Sequence, residues 1–69
     1  MFTLKDFDER KQVICEENGH SVYMFEGHRI AVVECDRSSY YFVVVDGKTI
    51  ATRTTRSKGV RLALQYINK

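Results

Sequence analysis

The sequence predicts one α+β domain: an N-terminal helix, a four-stranded antiparallel meander and a C-terminal helix packed on the sheet. Three observations carry this reading. Hydrophobic spacing is helical over the first 17 residues and becomes strand-like from His20. Two-residue turns, Glu26-Gly27 and Asp46-Gly47, separate apolar runs at hairpin spacing. After Thr55 the helical period returns in Val60, Ala63, Leu64 and Ile67. With 69 residues, no proline and no repeat, the chain reads as a single domain over 1–69. A domain of this size buries only about 60% of the surface its unfolded chain exposes, so its core is small.

The first element is expected to be a helix over 4–17. Thr3 and Asp6 have the spacing of a capping box, with Asp in place of the commoner Glu. Leu4, Phe7, Lys11 and Ile14 fall on one helical face, and Asp8-Glu9-Arg10-Lys11-Gln12 supplies polar helix formers for the other. Asn18-Gly19 then ends the helix with glycine in the left-handed conformation. The competing reading makes Asn18-Gly19 a type I′ turn joining 11–17 to 20–26 as a hairpin. The Asp-Glu-Arg-Lys-Gln stretch is poor strand material, which favours the helix.

Four strands follow, over 21–25, 29–35, 40–45 and 48–55, with Asp36-Arg37-Ser38-Ser39 as a longer loop between the middle pair. Ile30–Val33 and Tyr40–Val45 are apolar at successive positions, as in strands covered on both faces. The first and last strands are more polar, as edges should be. The Asp46-Gly47 turn sets Val45 opposite Lys48, Val43 opposite Ile50 and Tyr41 opposite Thr52 on the better core face. Phe42, Val44 and Ala51 with Arg53 form a second, partly apolar face. Ser57 is the expected N-cap of a last helix over 58–68. Its stripe of Val60, Ala63, Leu64 and Ile67, widened by Leu62 and Tyr66, is too apolar to face solvent.

Charge is the strongest functional signal. Residues 1–46 carry five cations against nine carboxylates, a net −4, whereas the last 23 residues carry six cations and no carboxylate side chain, a net +6. A cationic segment of this kind points to a phosphate-bearing or acidic partner. Its candidate contact residues are Lys48, Arg53, Arg56, Ser57, Lys58 and Arg61, interleaved with threonine hydroxyls of the kind that bond phosphate oxygens. Residues 54–58 lie on the strand-to-helix junction, where the first amides of the last helix favour an anion. The competing account is a solvated edge that uses Lys and Arg against aggregation; the complete lack of compensating acid weighs against it. Tyr40 is added as a base-stacking candidate, because adjacent strand residues face opposite ways and one of Tyr40 and Tyr41 points outward.

Other chemistries are weakly represented. Cys15, His20, His28 and Cys35 match no paired metal-ligand spacing, so neither a metal nor any other cofactor is expected. No phosphate-binding glycine loop or nucleophile–base pattern is present, and a non-enzyme is expected. The longest apolar run, Tyr40–Val45, is far short of the ~20 residues a membrane helix needs. Two cysteines are too few for a secreted disulfide scaffold, and the acidic N-terminal residues do not read as a signal peptide, so a cytoplasmic, membrane-free protein is expected.

The stretch 29–68 is similar in layout to small DNA-binding domains that lay a three-stranded sheet in a groove. That likeness implies contacts from the exposed sheet face, which here requires Arg53 and one tyrosine to face outward. The expectation is a small binding or regulatory protein acting on nucleic acid, DNA ahead of RNA, through the basic strand–helix junction. The alternative is a protein–protein module, an inhibitor or adaptor of the phage or mobile-element type, that binds an acidic partner surface. An apolar sheet face that two helices leave uncovered leads further to a homodimer.

Overall fold

The structure, a computed structural model, describes residues 1–35 and 39–69, so most of the loop expected at 36–39 lies outside the described residues. Helix α1 spans Leu4–Arg10 and opens with the expected capping box. The Asp6 amide donates to Thr3 Oγ1 at 3.2 Å, and the Thr3 amide donates to Asp6 Oδ2 at 3.0 Å. Five strands follow: β1 Gln12–Glu17, β2 His20–Phe25, β3 His28–Glu34, β4 Tyr41–Val45 and β5 Lys48–Thr54. They form one antiparallel sheet in the order β1-β2-β3-β4-β5. Helix α2, Arg56–Ile67, closes the chain. The α+β meander expected from the sequence is present, with five strands instead of four.

The difference lies in residues 12–17, expected to continue the first helix and found as β1. Asn18 at φ 50° and Gly19 at φ 78° place both central turn residues in the left-handed region, the signature of a type I′ hairpin. The β-branched pair Val13-Ile14 suits a strand, and pairing with β2 satisfies backbone groups along the edge of β2 that a helical extension would leave to water. Nothing rewards the helix beyond Lys11. Phe7 is the one buried side chain of α1, edge-on to Tyr23 and Phe25 at 5.2 and 5.3 Å, while Ile14 stands 58% exposed on β1. The edges of the sheet are therefore β1 and β5, and the strand that starts at His20 is internal.

Two bulges correct the expected β4–β5 register. Val45 faces Lys48 as expected, but Val43 faces Ala51 and Tyr41 faces Thr54. Each bulge adds a residue to one strand, so Ala51 joins Ile50 against the core and does not share a face with Phe42 and Val44. The N-cap of α2 is Thr55, not Ser57: Thr55 is extended and its Oγ1 accepts from the Lys58 amide at 3.2 Å. Ser57 falls inside the first turn.

The core consists of Phe7, Tyr23, Phe25, Ile30, Val32, Val43, Val45, Ala63 and Leu64. Both helices therefore pack on the same face of the sheet. The N-terminus is tied down beside the end of α2, where Phe2 and Asn68 exchange two hydrogen bonds of 2.8 Å and Phe2 stacks edge-on to Phe25 at 5.1 Å. On the other face, Val22, Ala31 and Val44 line up across three strands, Val33 pairs with Phe42, and Met24 lies on the row above. Neither helix covers this second face.

Two tests follow from the packing and the turns. A Cβ on Gly59 would lie 2.9 Å from Val43 Cγ2 and 3.4 Å from Val32 Cγ1, both on fully buried side chains. Alanine there recovers about 1 kcal/mol of helix propensity but overpacks the core at a cost of about 1–3 kcal/mol. Gly59→Ala is expected to lower stability in a urea melt; a gain would show that α2 can lift off the sheet without loss. The second test concerns Asp46, whose carboxyl is held below its ordinary 3.8 first by the Arg29 amide and then by the His28 ring. A depressed native carboxyl adds stability that is present above its unfolded value and is lost as pH falls through the folded value. Asp46→Asn keeps a side chain suited to the left-handed turn (φ 51°) and should flatten this acid limb of the stability curve, measured by urea melts from pH 6 to pH 2.

Candidate anion-binding cleft

The first turns of α2 face α1 and β1 across an open cleft of about 620 Å³. Thr55 starts the helix at the end of β5, and the helical turn then places Arg56, Ser57, Lys58 and Arg61 along one wall. Lys11 and Asp8 stand on the α1 side, Glu16 reaches in from β1, and Tyr23 forms the floor. The floor is rigid: Tyr23 is 3% exposed and locked against Phe7.

Polar contacts inside the cleft tie the acidic and basic halves of the chain together. Arg56 Nη2 donates to Glu16 Oε1 at 2.7 Å and lies 3.4 Å from the Tyr23 hydroxyl, which itself donates to Glu16 Oε1 at 3.2 Å. The Tyr23 hydroxyl first, and Glu16 after it, raise the Arg56 guanidinium above its ordinary value. Lys11 Nζ sits 5.2 Å from the centres of both the Phe7 and Tyr23 rings and 3.4 Å from Asp8 Oδ1. These are cation–π distances, and they hold the charge of half-buried Lys11 at the cleft.

The remaining ion pairs sit mostly in the first 46 residues. Lys5 pairs with Glu9, Arg10 with Asp6 and Glu26, and His28 with Asp46. Of the six C-terminal cations only Arg56 has a carboxylate partner among the described residues; Lys48, Arg53, Lys58, Arg61 and Lys69 have none. At the helix start, Thr55 occupies the Lys58 amide, which leaves the amides of Arg56 and Ser57 as the ones directed toward an anion.

The candidates proposed from the sequence separate into two groups. Arg56, Ser57, Lys58 and Arg61 converge on the cleft. Lys48 lies at the far end of β5, about 20 Å away along the strand, with its ammonium 6.0 Å from the Tyr66 ring. Arg53 is exposed near the end of β5, and Tyr40 is 51% exposed just before β4; neither lines the cleft. Tyr41 packs toward the core. Sequence reasoning missed Lys11, Glu16 and Tyr23. The signal for Glu16 and Tyr23 was the Asn18-Gly19 hairpin, which sets Glu16 opposite Ser21, next to Tyr23 on β2; Lys11, at the end of α1, had none.

Among the described residues no helix is long and apolar enough to cross a membrane. Compared with known proteins, the chain matches no family model, no curated protein and no solved structure.

The Tyr23–Glu16–Arg56 contacts form one network, so their removals should not add. Tyr23→Phe should cost about 1 kcal/mol of stability through the lost hydroxyl. Adding Arg56→Ala on the Tyr23→Phe background should cost less than Arg56→Ala alone, read from a double-mutant cycle of urea melts. Strict additivity would show that the three groups act independently.

Proposed function

We propose that this protein is a small non-enzymatic binding or regulatory module that takes the backbone of a nucleic acid, DNA ahead of RNA, into the cleft at the start of α2. The observation that supports this reading is the convergence of Arg56, Ser57, Lys58 and Arg61 on one cleft, with Lys11 opposite and with Lys58 and Arg61 lacking carboxylate partners among the described residues. Phosphate oxygens fit a wall of this kind, which offers point charges, a serine hydroxyl and two helix-start amides together. Such contacts position a duplex without reading its bases, so binding should show little sequence preference. The groove-reading layout is less favoured, because the centre of the open sheet face is apolar (Val22, Ala31, Val33, Phe42 and Val44) and offers no hydrogen bonds to base edges.

A second reading, an inhibitor or adaptor that binds an acidic protein, draws on Glu16, since Arg56 already donates to its carboxylate at 2.7 Å. In that case a partner carboxylate competes with Glu16 for the same guanidinium. The homodimer expected from the sequence is compatible with either reading.

Fluorescence anisotropy with random duplex DNA at low salt tests the first reading. If Lys11, Arg56, Lys58 and Arg61 neutralise about four phosphates, log K should fall against log salt with a slope near −3.6. The double variant Lys58→Glu, Arg61→Glu lies on an exposed surface and should abolish binding while leaving the melting curve unchanged. No association in the micromolar range at low salt refutes the nucleic-acid reading. Capture of a protein from nuclease-treated lysate that the same double variant loses would favour the second.

A further inference from the structure

The face of the sheet that carries no helix is the largest feature the cleft does not use. Period-two alternation sends Tyr23, Phe25, Ile30, Val32, Val43 and Val45 to the helices. It sends Val22, Met24, Ala31, Val33, Phe42 and Val44 the other way, where they are only half-buried by one another. Register makes these six contiguous, since Val22 pairs with Ala31, Ala31 with Val44, and Val33 with Phe42. Polar groups are confined to the rim, with Glu17 and His20 at one corner, Arg29 at the end of β3 beside Met24, and Thr49 and Arg53 along β5.

We propose that a second copy of this chain packs on this face about a two-fold axis parallel to the strands, which brings β1 of each copy across β5 of the other. The reading goes beyond the cleft and does not depend on what the cleft binds. Charge selects the axis. On this face the edge strand β1 offers Glu17 and the opposite edge β5 offers Arg53, whereas Glu16 and Lys48 turn to the helix side, toward Arg56 and Tyr66. Residues 52–53 lie between the Val43–Ala51 and Tyr41–Thr54 pairs, level with Phe42, and the Glu17–His20 pair lies on the same row through Val33. A two-fold parallel to the strands therefore sets Glu17 of one copy level with Arg53 of the other. The alternative axis, in the sheet plane but across the strands, lays each edge on its own mate, acid against acid and base against base.

The area sets the strength. Five strands about 4.8 Å apart and five to seven residues long give a face of about 24 by 20 Å. That is about 480 Å² in projection. A standard interface takes about 800 Å² from each partner, so this face falls below that range and supports a weak dimer, with dissociation in the micromolar region. Both helices and both clefts remain on the outside of the resulting four-layer assembly, open to ligand.

The two cysteines report on the axis. Cys35 continues the Ala31, Val33 line on the central strand, and its amide still bonds Tyr40 O at 2.9 Å. Next to a two-fold parallel to the strands, it comes close to its own mate across sheets about 10 Å apart. Cys15 lies on edge strand β1, paired with Val22 and level with Ala31. It meets its mate only under the alternative axis.

The test uses the full chain, freed of nucleic acid by nuclease and high salt. Sedimentation over a hundredfold concentration range should show a monomer–dimer equilibrium in the micromolar region. A short bis-maleimide should yield a dimer band that Cys15→Ser keeps and Cys35→Ser loses. Phe42→Glu should weaken association at least tenfold while DNA binding at low salt is unchanged from that of the native chain at equal concentration. If Phe42→Glu disturbs folding, the cross-linking pattern of the native and serine chains decides alone. A constant monomer mass at the highest concentration overturns the dimer, even if a foreign protein is later found on the face. Cross-linking through Cys15 instead of Cys35 overturns the proposed axis. Failure of DNA binding leaves all of these readouts intact.

Discussion

Where α2 crosses the sheet, the backbone of Gly59 lies so close to β3 and β4 that a single methyl group there would press on Val43 and Val32. The rest of the molecule is arranged around that approach. It lets Ala63 and Leu64 sink fully into the sheet one turn later, although the helix has only 12 residues to contribute. It also fixes the direction in which α2 leaves Thr55, and so the side on which Arg56, Lys58 and Arg61 emerge. A core of nine residues has little tolerance for a looser crossing, since packing in protein interiors leaves few voids to absorb a shift.

One-sided coverage is the second consequence. With α1 and α2 on the same face, five strands keep one dry side and one side half-exposed to water. The dry side holds the aromatic cluster of Phe2, Phe7, Tyr23 and Phe25, whose edge-on contacts lock the N-terminal segment to β2. The half-exposed side is built from smaller aliphatics with Phe42 and Met24.

Electrostatics in this protein follow the fold and not the order of residues along the chain. Linear charge runs from −4 to +6, yet Glu16 of the acidic segment lies 2.7 Å from Arg56 of the basic one. Lys5, Arg10 and Lys11 are neutralised at short range, Arg10 between Asp6 and Glu26. Glu26 keeps that contact while it occupies the left-handed region at φ 49°, a conformation few glutamates adopt. Among the described residues, Lys48, Arg53, Lys58 and Arg61 have no carboxylate partner, and they divide between the cleft and the β5 edge.

The sequence by itself determined the local elements whose signals are contained within a few residues. These are the Thr3–Asp6 capping box, the Glu26-Gly27 and Asp46-Gly47 turns, the sequential meander and the apolar stripe of the last helix. Each rests on short-range sterics or hydrogen bonding that tertiary context did not override. The tertiary structure decided residues 12–17, because helix and strand were both locally allowed there and only the free edge of β2 supplied cross-strand partners for one of them. It decided the β4–β5 register as well, since the turn fixes only the nearest pair and two bulges shift the rest to bring Ala51 and Thr54 under α2. The cleft divides in the same way. Four of its cationic-wall residues were legible because they are close in sequence at the helix start. Lys11, Glu16 and Tyr23 were not: the Asn18-Gly19 turn that brings Glu16 beside Tyr23 also read as a helix end, and the meeting of all three with that wall depends on how α1 and β1 fold back across the sheet.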